Sequence, residues 1–445
     1  MFRQVLVATD FSAHADSLLE CIGEIPGMEE ILLVHVITTT PPGGGIAFLR
    51  SSLPSPREAA LARLEEKRQF LERMTGVPVS PRVIGTTDGD IAGAIIRLAH
   101  TENIPLIVMG GRGKGLLSGY ILGSVSEEVI RRGRTDVLIM HFMNVQNPGG
   151  AGLEKFCRNV FSHVLCPVDF SKPSEKTLEY AKNLGSIRRI TLLHVVDANL
   201  PEPQRARHGE ECRQKLAVIE ADLAQNGIRA ASIVRPGSPA REIARVGGEL
   251  DVSLILIARL GQSDYIRNIP IGRVAAEVAM HAERPLFIVN PHISLSVLVK
   301  ELEAGEFPLA EQVWLGYHQQ KADPFTDRVF GVFIEGTLVA AARCRRHPDG
   351  LEVDAVYTPD QYRGRGYARK AVRELVEACG NEPLYMHSTL DLTGFYRTFG
   401  FIPIGEQELP PSIRDRFSFA DGELVGANVS PMKRDPGRHP PEPDP

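Results

Sequence analysis

The amino-acid sequence predicts an α/β protein in which two doubly wound parallel-sheet domains are followed by a third, α+β domain. Three observations lead to this fold class. The chain repeats itself up to about residue 290, each copy alternates short apolar runs with amphipathic stretches, and the pattern of the copies stops near residue 294. A length of 445 residues also suits about three domains of roughly 150 residues each.

The composition excludes several classes of protein. Apolar residues make up 43% of the chain and charged residues 24%, which is typical of folded globular proteins. No apolar run reaches the roughly 18 residues that span a bilayer, and residues 1–7 resemble a first strand rather than a signal peptide. The formal charge of −5 argues against nucleic acid as the main partner. We therefore expect a cytoplasmic protein that binds neither nucleic acid nor membrane.

The internal repeat is the strongest signal in the sequence, because three separate segments return in the same order. The matched segments are 5–12 with 164–171, 33–36 with 192–195, and 89–92 with 237–240. The first copy carries a proline- and glycine-rich loop at 41–45, and residues 144–152 form a linker between the copies.

Each copy alternates predicted strands and helices. In the first copy the predicted strands are 3–9, 31–37, 79–84, 105–110 and 136–141. The predicted helices are 13–24, 56–74, 90–101 and 124–132. Such alternation gives a parallel sheet covered on both faces, with ligands bound at the carboxyl ends of its strands. Asp10 and Gly110 each end a strand and therefore belong to that edge.

A glycine pattern after the fourth strand predicts a phosphate-binding loop. The pattern consists of Gly110, Gly113, Gly123 and Ser124. Glycines let the backbone approach a ligand closely, and the free amides at a helix start attract anions. Arg112 and Lys114 add positive charge, and Asp10 could accept hydrogen bonds from a ribose or an adenine. The spacing fits neither a Walker loop nor a dinucleotide fingerprint.

Together with Asp10, this pattern resembles the universal stress protein family, and the resemblance covers residues 1–291 as two tandem copies. It implies that the first copy binds ATP or another adenine nucleotide, and Mg²⁺ could bind together with that nucleotide. The implied nucleotide-binding residues are Asp10 and Val36 beside the adenosine, and Met109, Gly110, Arg112, Gly113, Gly123 and Ser124 around the ribose and phosphates. Because family members pair through their last strands, we expect the two copies to pair within the chain, with a homodimer as a further alternative.

The second copy departs from the glycine pattern. Ala258 replaces the first glycine, Gly261 remains, and Gly272 comes one residue late, followed by Arg273 instead of serine. The methyl group of Ala258 would crowd the backbone approach, and a shifted helix start would misplace its amides. We predict a scaffold role rather than nucleotide binding, although Arg273 could still attract an anion.

The six cysteines are scattered, and no Cys-x-x-Cys pair occurs among them. They are Cys21, Cys157, Cys166, Cys212, Cys344 and Cys379. This spacing predicts reduced thiols and no metal site. His35 and His194 lie inside apolar runs and are expected to be core histidines with satisfied hydrogen bonds.

The third domain again contains a strand, a glycine loop and a helix in succession. A hairpin over 328–343 turns at Glu335-Gly336, and a strand over 351–357 leads into a loop with Gly364 and Gly366. Such a loop can hold a pyrophosphate at the start of the following helix. The apolar face of that helix is predicted from Ala371, Val372, Leu375, Val376 and Ala378.

This loop and the later segment 394–401, with its Phe-Tyr-x-x-Phe-Gly-Phe, resemble the GNAT acyltransferases over about residues 297–435. The resemblance implies acetyl transfer from acetyl-CoA to an amine, with Tyr396 as the proton donor to the departing thiolate. The implied cofactor-binding residues are Val356 and Tyr357 for the pantetheine arm, and Gln361, Arg363, Gly364, Arg365, Gly366, Tyr367 and Ala368 for the pyrophosphate. The predicted domains are therefore 1–143, 153–292 and 297–435, before a proline-rich tail at 436–445.

The general base and the acceptor are left open by the sequence. Glu352 and Asp354 share one face of the strand before the glycine loop, so either could take a proton from an ammonium, and His387 is a third candidate. The acceptor is an amine of a protein lysine or of a small molecule, and the segment that would bind it, 304–327, shows no recognisable pattern.

Three functions compete at this point. The first is an N-acetyltransferase that a nucleotide-binding tandem module regulates or targets in the stress response. The second is a non-catalytic protein that binds nucleotide and CoA. The third, an ATPase or kinase, is disfavoured because the chain lacks a Walker loop.

Overall fold

The computed structural model describes residues 2–38, 55–111, 122–141, 159–261, 264, 269–291, 293, 295–420 and 429–437. The chain divides into two units, one built from the two repeats and the other from about residue 294 onward. The linker 144–152 and most of the tail 436–445 lie outside the described residues. None of the helices in the described part of the chain combines the length and the apolar character that crossing a bilayer takes.

The first repeat has the strands and helices that the sequence predicts, with ends that differ by at most three residues. Its strands are β1 (Gln4–Ala8), β2 (Glu30–Thr38), β3 (Val79–Thr86), β4 (Leu106–Gly110) and β5 (Asp136–Met140). Its helices are α1 (Ala13–Cys21), α2 (Pro56–Thr75), α3 (Ile91–Thr101) and α4 (Ser124–Arg132). The side chains of Ser12, Ser55 and Asp90 each accept a backbone N–H bond and so fix the starts of the first three helices.

The second repeat follows the same order. Its strands are β6 (His163–Pro167), β7 (Arg189–Val196), β8 (Arg229–Pro236), β9 (Leu254–Ala258) and β10 (Leu286–Val289). Its helices are α5 (Lys172–Asn183), α6 (Glu202–Gln225), α7 (Pro239–Glu249) and α8 (Arg273–His281).

The two repeats share one sheet of ten strands, in the order β3-β2-β1-β4-β5-β10-β9-β6-β7-β8. Strands pair in parallel within each repeat, whereas β5 and β10 pair antiparallel through Val137–Ile139 and Leu286–Ile288. Alternate residues of these two strands enter two apolar cores, one on each face, and each core contains residues of both repeats. The expected pairing of the copies through their last strands is present.

Arg259 reinforces this junction from the second repeat. Its side chain is 1% exposed, and it donates hydrogen bonds to the carbonyl oxygens of Ile130, at 2.5 Å, and Thr135, at 3.2 Å, in the first repeat. Burial lowers the pKa of this guanidinium to about 10, so it remains charged at neutral pH. Arg259 occupies the position that Gly111 holds in the first repeat, and its hydrogen bonds link the two repeats.

Replacing Arg259 by methionine should destabilise the tandem unit by about 2–4 kcal/mol, because buried carbonyl groups lose their donors. Far-ultraviolet circular dichroism during urea unfolding of the full chain measures this change. Arg273→Met removes an arginine whose side chain is 83% exposed and serves as the control, with an expected change within about 0.5 kcal/mol. Equal urea midpoints for the two variants would contradict this role of Arg259.

The third unit is built on a sheet of seven strands, in the order β11-β12-β13-β14-β15-β17-β16. The strands are β11 (Val297–Glu301), β12 (Asp327–Ile334), β13 (Thr337–His347), β14 (Gly350–Tyr357), β15 (Leu384–Thr389), β16 (Ile402–Pro403) and β17 (Val429–Arg434). The helices are α9 (Phe307–Val313), α10 (Tyr367–Cys379), α11 (Thr393–Arg397) and α12 (Pro411–Ala420). Only β14 and β15 pair in parallel among these described strands.

Two details of this unit bear on the sequence predictions. Glu335 and Gly336 both have positive φ angles, 51° and 80°, as the two-residue turn of the predicted hairpin requires. The predicted apolar face of α10 is wrong at Ala378, which is exposed, while Cys379 is buried in its place.

The cysteines are not all reduced in the structure. Cys21 is disulfide-bonded, and Cys157 lies outside the described residues. Cys166, Cys212, Cys344 and Cys379 are free and buried. The expectation of reduced thiols is therefore wrong for Cys21.

Candidate functional site

The first repeat has a cavity of about 410 Å³ at the carboxyl ends of β1, β2 and β4. It is lined by six of the eight residues predicted to bind nucleotide: Asp10, Val36, Met109, Gly110, Gly123 and Ser124. The other two, Arg112 and Gly113, lie outside the described residues. The cavity therefore brings the predicted adenosine and phosphate ends of the site together.

Asp10 is held at the rim of the cavity by the turn that joins β1 to α1. Phe11 has a φ angle of 59°, and the backbone N–H of Ser12 donates to the Asp10 carboxylate at 2.9 Å. His35 stacks on Phe11 with ring centroids 4.3 Å apart, and its Nδ1 lies 2.8 Å from the carbonyl oxygen of Thr9. His35 is thus satisfied as predicted, but it lines the cavity and is only half-buried.

The opposite end of the cavity is suited to an anion. Gly123 precedes α4, and no side chain caps the first amides of that helix, which carry the positive end of the helix dipole. The Gly123 N–H donates to the carbonyl oxygen of Gly111 at 2.6 Å, and the Ser126 hydroxyl donates to that of Gly110 at 2.8 Å. The helix start is therefore fixed against the end of β4.

Gly111 was not singled out by the sequence pattern, yet the structure requires a glycine there. A Cβ atom at this position would lie 2.5 Å from Nδ1 of His141. The Gly111 N–H donates to the Met140 carbonyl oxygen at 2.9 Å, so the loop lies against β5 beside the repeat junction.

The second repeat has a smaller cavity at the equivalent place, of about 220 Å³. Asp169 and Asp264 both line it, and a Cβ at Gly272 would lie 2.7 Å from the Asp264 carboxylate. The Asp264 carboxylate therefore lies beside the start of α8, where it repels a polyphosphate. Asp264 is the residue that the glycine pattern missed, and its position favours the predicted scaffold role.

One reason given for that role is wrong. The extra residue before Gly272 does not displace the start of α8 from the end of β9, because the Gly272 N–H donates to the Arg259 carbonyl oxygen at 2.9 Å as the Gly123 N–H donates to that of Gly111. Gly272 also has φ −72° and ψ 150°, close to the −79° and 151° of Gly123. Arg273 is highly exposed, with Nη1 3.9 Å from the Glu277 carboxylate.

In the third unit the glycine loop runs from β14 to α10. Gly364 and Gly366 have φ angles of 81° and 74°, which glycine adopts without steric cost. No side chain caps the start of α10, so its amides suit a pyrophosphate. The Arg363 side chain turns back on the loop, where Nε donates to the Thr358 carbonyl oxygen at 3.0 Å. The Arg363 backbone N–H also donates, to the Asp360 carbonyl oxygen at 3.2 Å.

The edge of β14 opens beside this loop. β14 pairs with β15 only at Leu351 and Glu352, because Ala355 has a φ angle of 49° and its carbonyl oxygen accepts a 2.7 Å hydrogen bond from the Trp314 indole. Val356 and Tyr357 follow this bend. The hydroxyl of Thr358 is buried without a hydrogen-bond partner in the described structure. An opened strand edge beside an unsatisfied hydroxyl fits the pantetheine arm predicted for this place.

Tyr396 lies in α11 and is 5% exposed. Its ring contacts Phe395 and Phe401, with centroids 4.9 and 6.1 Å away. Burial and the nearby Tyr317 raise the pKa of this phenol well above its ordinary value, so the group remains protonated at neutral pH. Tyr317 comes from the segment predicted to bind the acceptor, and it also stacks on Tyr357 at 5.3 Å.

Glu352 and Asp354 share a face of β14, as predicted, but arginines engage both. Arg416 of α12 donates to both carboxylates, to Asp354 at 2.8 Å. Arg343 forms a bidentate pair with Asp354 at 2.7 and 2.6 Å. Burial alone would raise the pKa of Asp354, but the two arginines hold it below its usual value. A carboxylate with a lowered pKa is a weak base.

His387 is the remaining candidate base. It lies on β15 beyond the last pair with β14, where the two strands part. Burial lowers the pKa of its imidazole despite the opposing charges of Glu352 and Glu406. The ring is therefore neutral at physiological pH, which is the form that accepts a proton.

Comparisons with known proteins match both units. A model of the universal stress protein family matches residues 1–141 and 161–290, and a model of the acetyltransferase (GNAT) family matches residues 297–401. A universal stress protein of Thermus aquaticus is 32% identical over 143 residues, which are 32% of this chain and 99% of that protein. One of Methanocaldococcus jannaschii is 27% identical over 160 residues, 32% of this chain and 98% of that protein.

Solved structures also resemble parts of the chain. A universal stress protein from Archaeoglobus fulgidus covers 65% of this chain and 96% of its own, with 22% identity and a TM-score of 0.46. ElaA of Escherichia coli covers 32% of this chain and 100% of its own, with 17% identity and a TM-score of 0.24.

Proposed function

Because the chain belongs to the universal stress protein family and carries a C-terminal GNAT acetyltransferase domain, we propose that it transfers the acetyl group of acetyl-CoA to a primary amine. We further propose that its first repeat binds ATP or another adenine nucleotide. The observation that carries the enzymatic proposal is the buried, protonated Tyr396 in the same unit as a positive-φ glycine loop and an opened strand edge.

The residues proposed to hold acetyl-CoA form a continuous path. The backbone of Val356 and Tyr357 faces the pantetheine arm along the opened edge of β14. The amides between Arg363 and Ala368 bind the pyrophosphate at the start of α10, where neither glycine restricts the approach. Bound acetyl-CoA supplies an activated thioester to the acceptor.

Two side chains are proposed to move the protons. The Tyr396 phenol donates its proton to the sulfur as the C–S bond breaks. His387, preferred over Glu352 and Asp354 because its imidazole is neutral, removes one proton from the acceptor ammonium, so that the nitrogen lone pair can form the new C–N bond as the C–S bond breaks. The second proton that the nitrogen loses on becoming an amide restores the Tyr396 phenol. The acceptor is an amine of a protein lysine or of a small molecule.

Thiol release from acetyl-CoA tests the enzymatic proposal. The full chain is incubated with acetyl-CoA and a panel of lysine peptides, polyamines and aminoglycosides, and free thiol is followed with a chromogenic disulfide. Release that depends on one acceptor class supports the proposal and identifies the acceptor. Binding of acetyl-CoA without release for any acceptor would favour a CoA-binding protein that transfers nothing.

Asp10→Ala should weaken ATP binding by about 10- to 100-fold, because hydrogen bonds to a charged group contribute about 1.5–3 kcal/mol. Titration calorimetry of the full chain measures the affinity and the number of sites, and we expect one. Asp169→Ala, the matched change in the second repeat, should leave ATP affinity unchanged. Two sites, or equal effects of the two substitutions, would contradict the assignment of the nucleotide to the first repeat.

We also propose that the tandem repeats either regulate or scaffold the acetyltransferase domain. Acetyl-CoA affinity measured with and without saturating ATP separates these roles. A change in affinity means regulation, and linkage then requires acetyl-CoA to change ATP affinity by the same factor. Independent binding means that the repeats serve as a scaffold.

A further inference from the structure

Three side chains of the second repeat converge beside its cavity, which His194 also lines. His194 comes from β7, whereas His208 and Cys212 lie one helical turn apart on α6. One ligand atom from each residue lies within 4.8 Å of the other two, and Cys212 Sγ is 3.8 Å from His208 Nε2. His208 is exposed and Cys212 is buried, so the cluster has both an entry path and a sheltered ligand.

The hydrogen bonding of His194 suits metal binding. Its Nδ1 lies 2.7 Å from the carbonyl oxygen of Val168, which assigns the ring proton to Nδ1 and leaves Nε2 with its lone pair. A backbone carbonyl on the other ring nitrogen is the usual support of a metal-binding histidine. The ring also lies against Phe170, with centroids 4.8 Å apart, so its orientation is fixed before any ion arrives.

The first repeat provides an internal comparison. His35 makes the same two contacts as His194, one with the Thr9 carbonyl oxygen and one with the Phe11 ring. The fully buried leucines of the two long helices, Leu64 and Leu71 in α2 and Leu216 and Leu223 in α6, align the helices with each other. In this alignment Pro56 and Ala60 stand where the second repeat has His208 and Cys212.

The strand histidine is therefore common to both repeats, and the contacts with backbone and phenylalanine explain it in each. Those contacts do not explain His208 and Cys212. Because the two added side chains both bring metal-ligating atoms within 4.8 Å of a ring nitrogen of the strand histidine, their joint presence points to a ligand rather than to packing.

We propose that His194, His208 and Cys212 bind one Zn²⁺ ion. Two imidazoles and a thiolate are the donors that this borderline-soft ion prefers, whereas Mg²⁺ and Ca²⁺ take oxygen ligands. The ion displaces the proton of the Cys212 thiol on binding. Three protein ligands leave the fourth tetrahedral position to water or to an exogenous ligand.

The surroundings of the cluster agree with this ligand set. A Glu211 carboxylate oxygen lies 3.9 Å from His208 Nδ1 and can orient that ring as the carbonyl group orients His194. Lys215 and Asp169 are the other charged groups near the cluster, and they oppose each other in sign. Closing three atoms from 4.8 Å to tetrahedral contact requires a shift of about 1 Å, which the exposed side chain of His208 can make.

Cobalt is the sharpest probe for this site. Full-length protein is stripped with a chelator under reducing conditions and titrated with Co²⁺ while its absorption is recorded. We expect one equivalent to bind with a thiolate-to-cobalt charge-transfer band in the near ultraviolet, and Zn²⁺ to displace it. Cys212→Ala should remove the band, and both Cys212→Ala and His208→Ala should weaken Zn²⁺ binding by at least about 100-fold, measured against a chromogenic chelator.

The controls separate this site from other thiols and from loss of the fold. Cys379→Ala and His35→Ala should leave the cobalt spectrum unchanged. Cys212→Ala introduces the residue that the first repeat has at this position, and His208 is exposed, so circular dichroism should report a native fold for both variants. Binding without the charge-transfer band, or a band that survives Cys212→Ala, would overturn the proposal. The readout is independent of acetyl transfer.

Discussion

Replacing Tyr396 by phenylalanine should lower the turnover of acetyl-CoA by about 10²- to 10⁴-fold and leave the affinity for acetyl-CoA nearly unchanged. The substitution removes only the hydroxyl group. The phenylalanine ring keeps the contacts that the tyrosine ring makes with Phe395 and Phe401. Without the phenol, the departing thiolate must take its proton from water. The loss therefore affects kcat far more than KM.

Single-turnover kinetics with the best acceptor, together with calorimetry of acetyl-CoA binding, measure the two effects separately. Tyr385→Phe is the matched control, because Tyr385 is a half-buried tyrosine of β15 in the same unit, and its loss should change turnover less than twofold. Full activity of Tyr396→Phe across the pH range would remove Tyr396 from the mechanism.

Replacing Asp354 by alanine should destabilise the third unit by about 3–5 kcal/mol, as expected when one partner of a buried ion pair is removed. The Arg343 side chain is 0% exposed and donates two hydrogen bonds to Asp354. Asp327, the other carboxylate near Arg343, is also paired with Arg345. The alanine variant therefore leaves a buried guanidinium with insufficient negative charge.

The single tryptophan of the chain, Trp314, reports this change during urea unfolding, because its ring lies 5.4 Å from the Arg343 guanidinium. Glu382→Ala serves as the control. It breaks an exposed pair with Arg346 and should cost no more than about 1 kcal/mol. If Asp354→Ala abolished acetyl transfer without lowering stability, Asp354 would be the base and His387 would not.

The sequence predicted the framework well because its signals are local. The strand and helix patterns and the turn at Glu335-Gly336 each depend on a few neighbouring residues. The architecture of two universal stress protein copies before a GNAT domain is confirmed by the family models. The residues predicted to line the nucleotide cavity were found because glycine patterns reflect backbone geometry at a single edge of the sheet.

The sequence missed features that depend on side chains from distant segments. Arg416 reaches Glu352 and Asp354 from α12 and engages both predicted bases. Asp264 enters the second cavity from a loop. The His194 cluster joins a strand to a His-x-x-x-Cys turn of α6, whereas the cysteine spacing alone suggested no metal site.

The antiparallel pairing of β5 with β10 has a consequence for how the two repeats relate. In a dimer of identical chains, every change at one site is copied at the other, and dilution separates the partners. Here a covalent connection holds the partners at a one-to-one ratio at any concentration. Each half can then differ in sequence from the other, so the cavity proposed for nucleotide and the side chains proposed to bind metal can belong to opposite halves of one pseudo-symmetric unit.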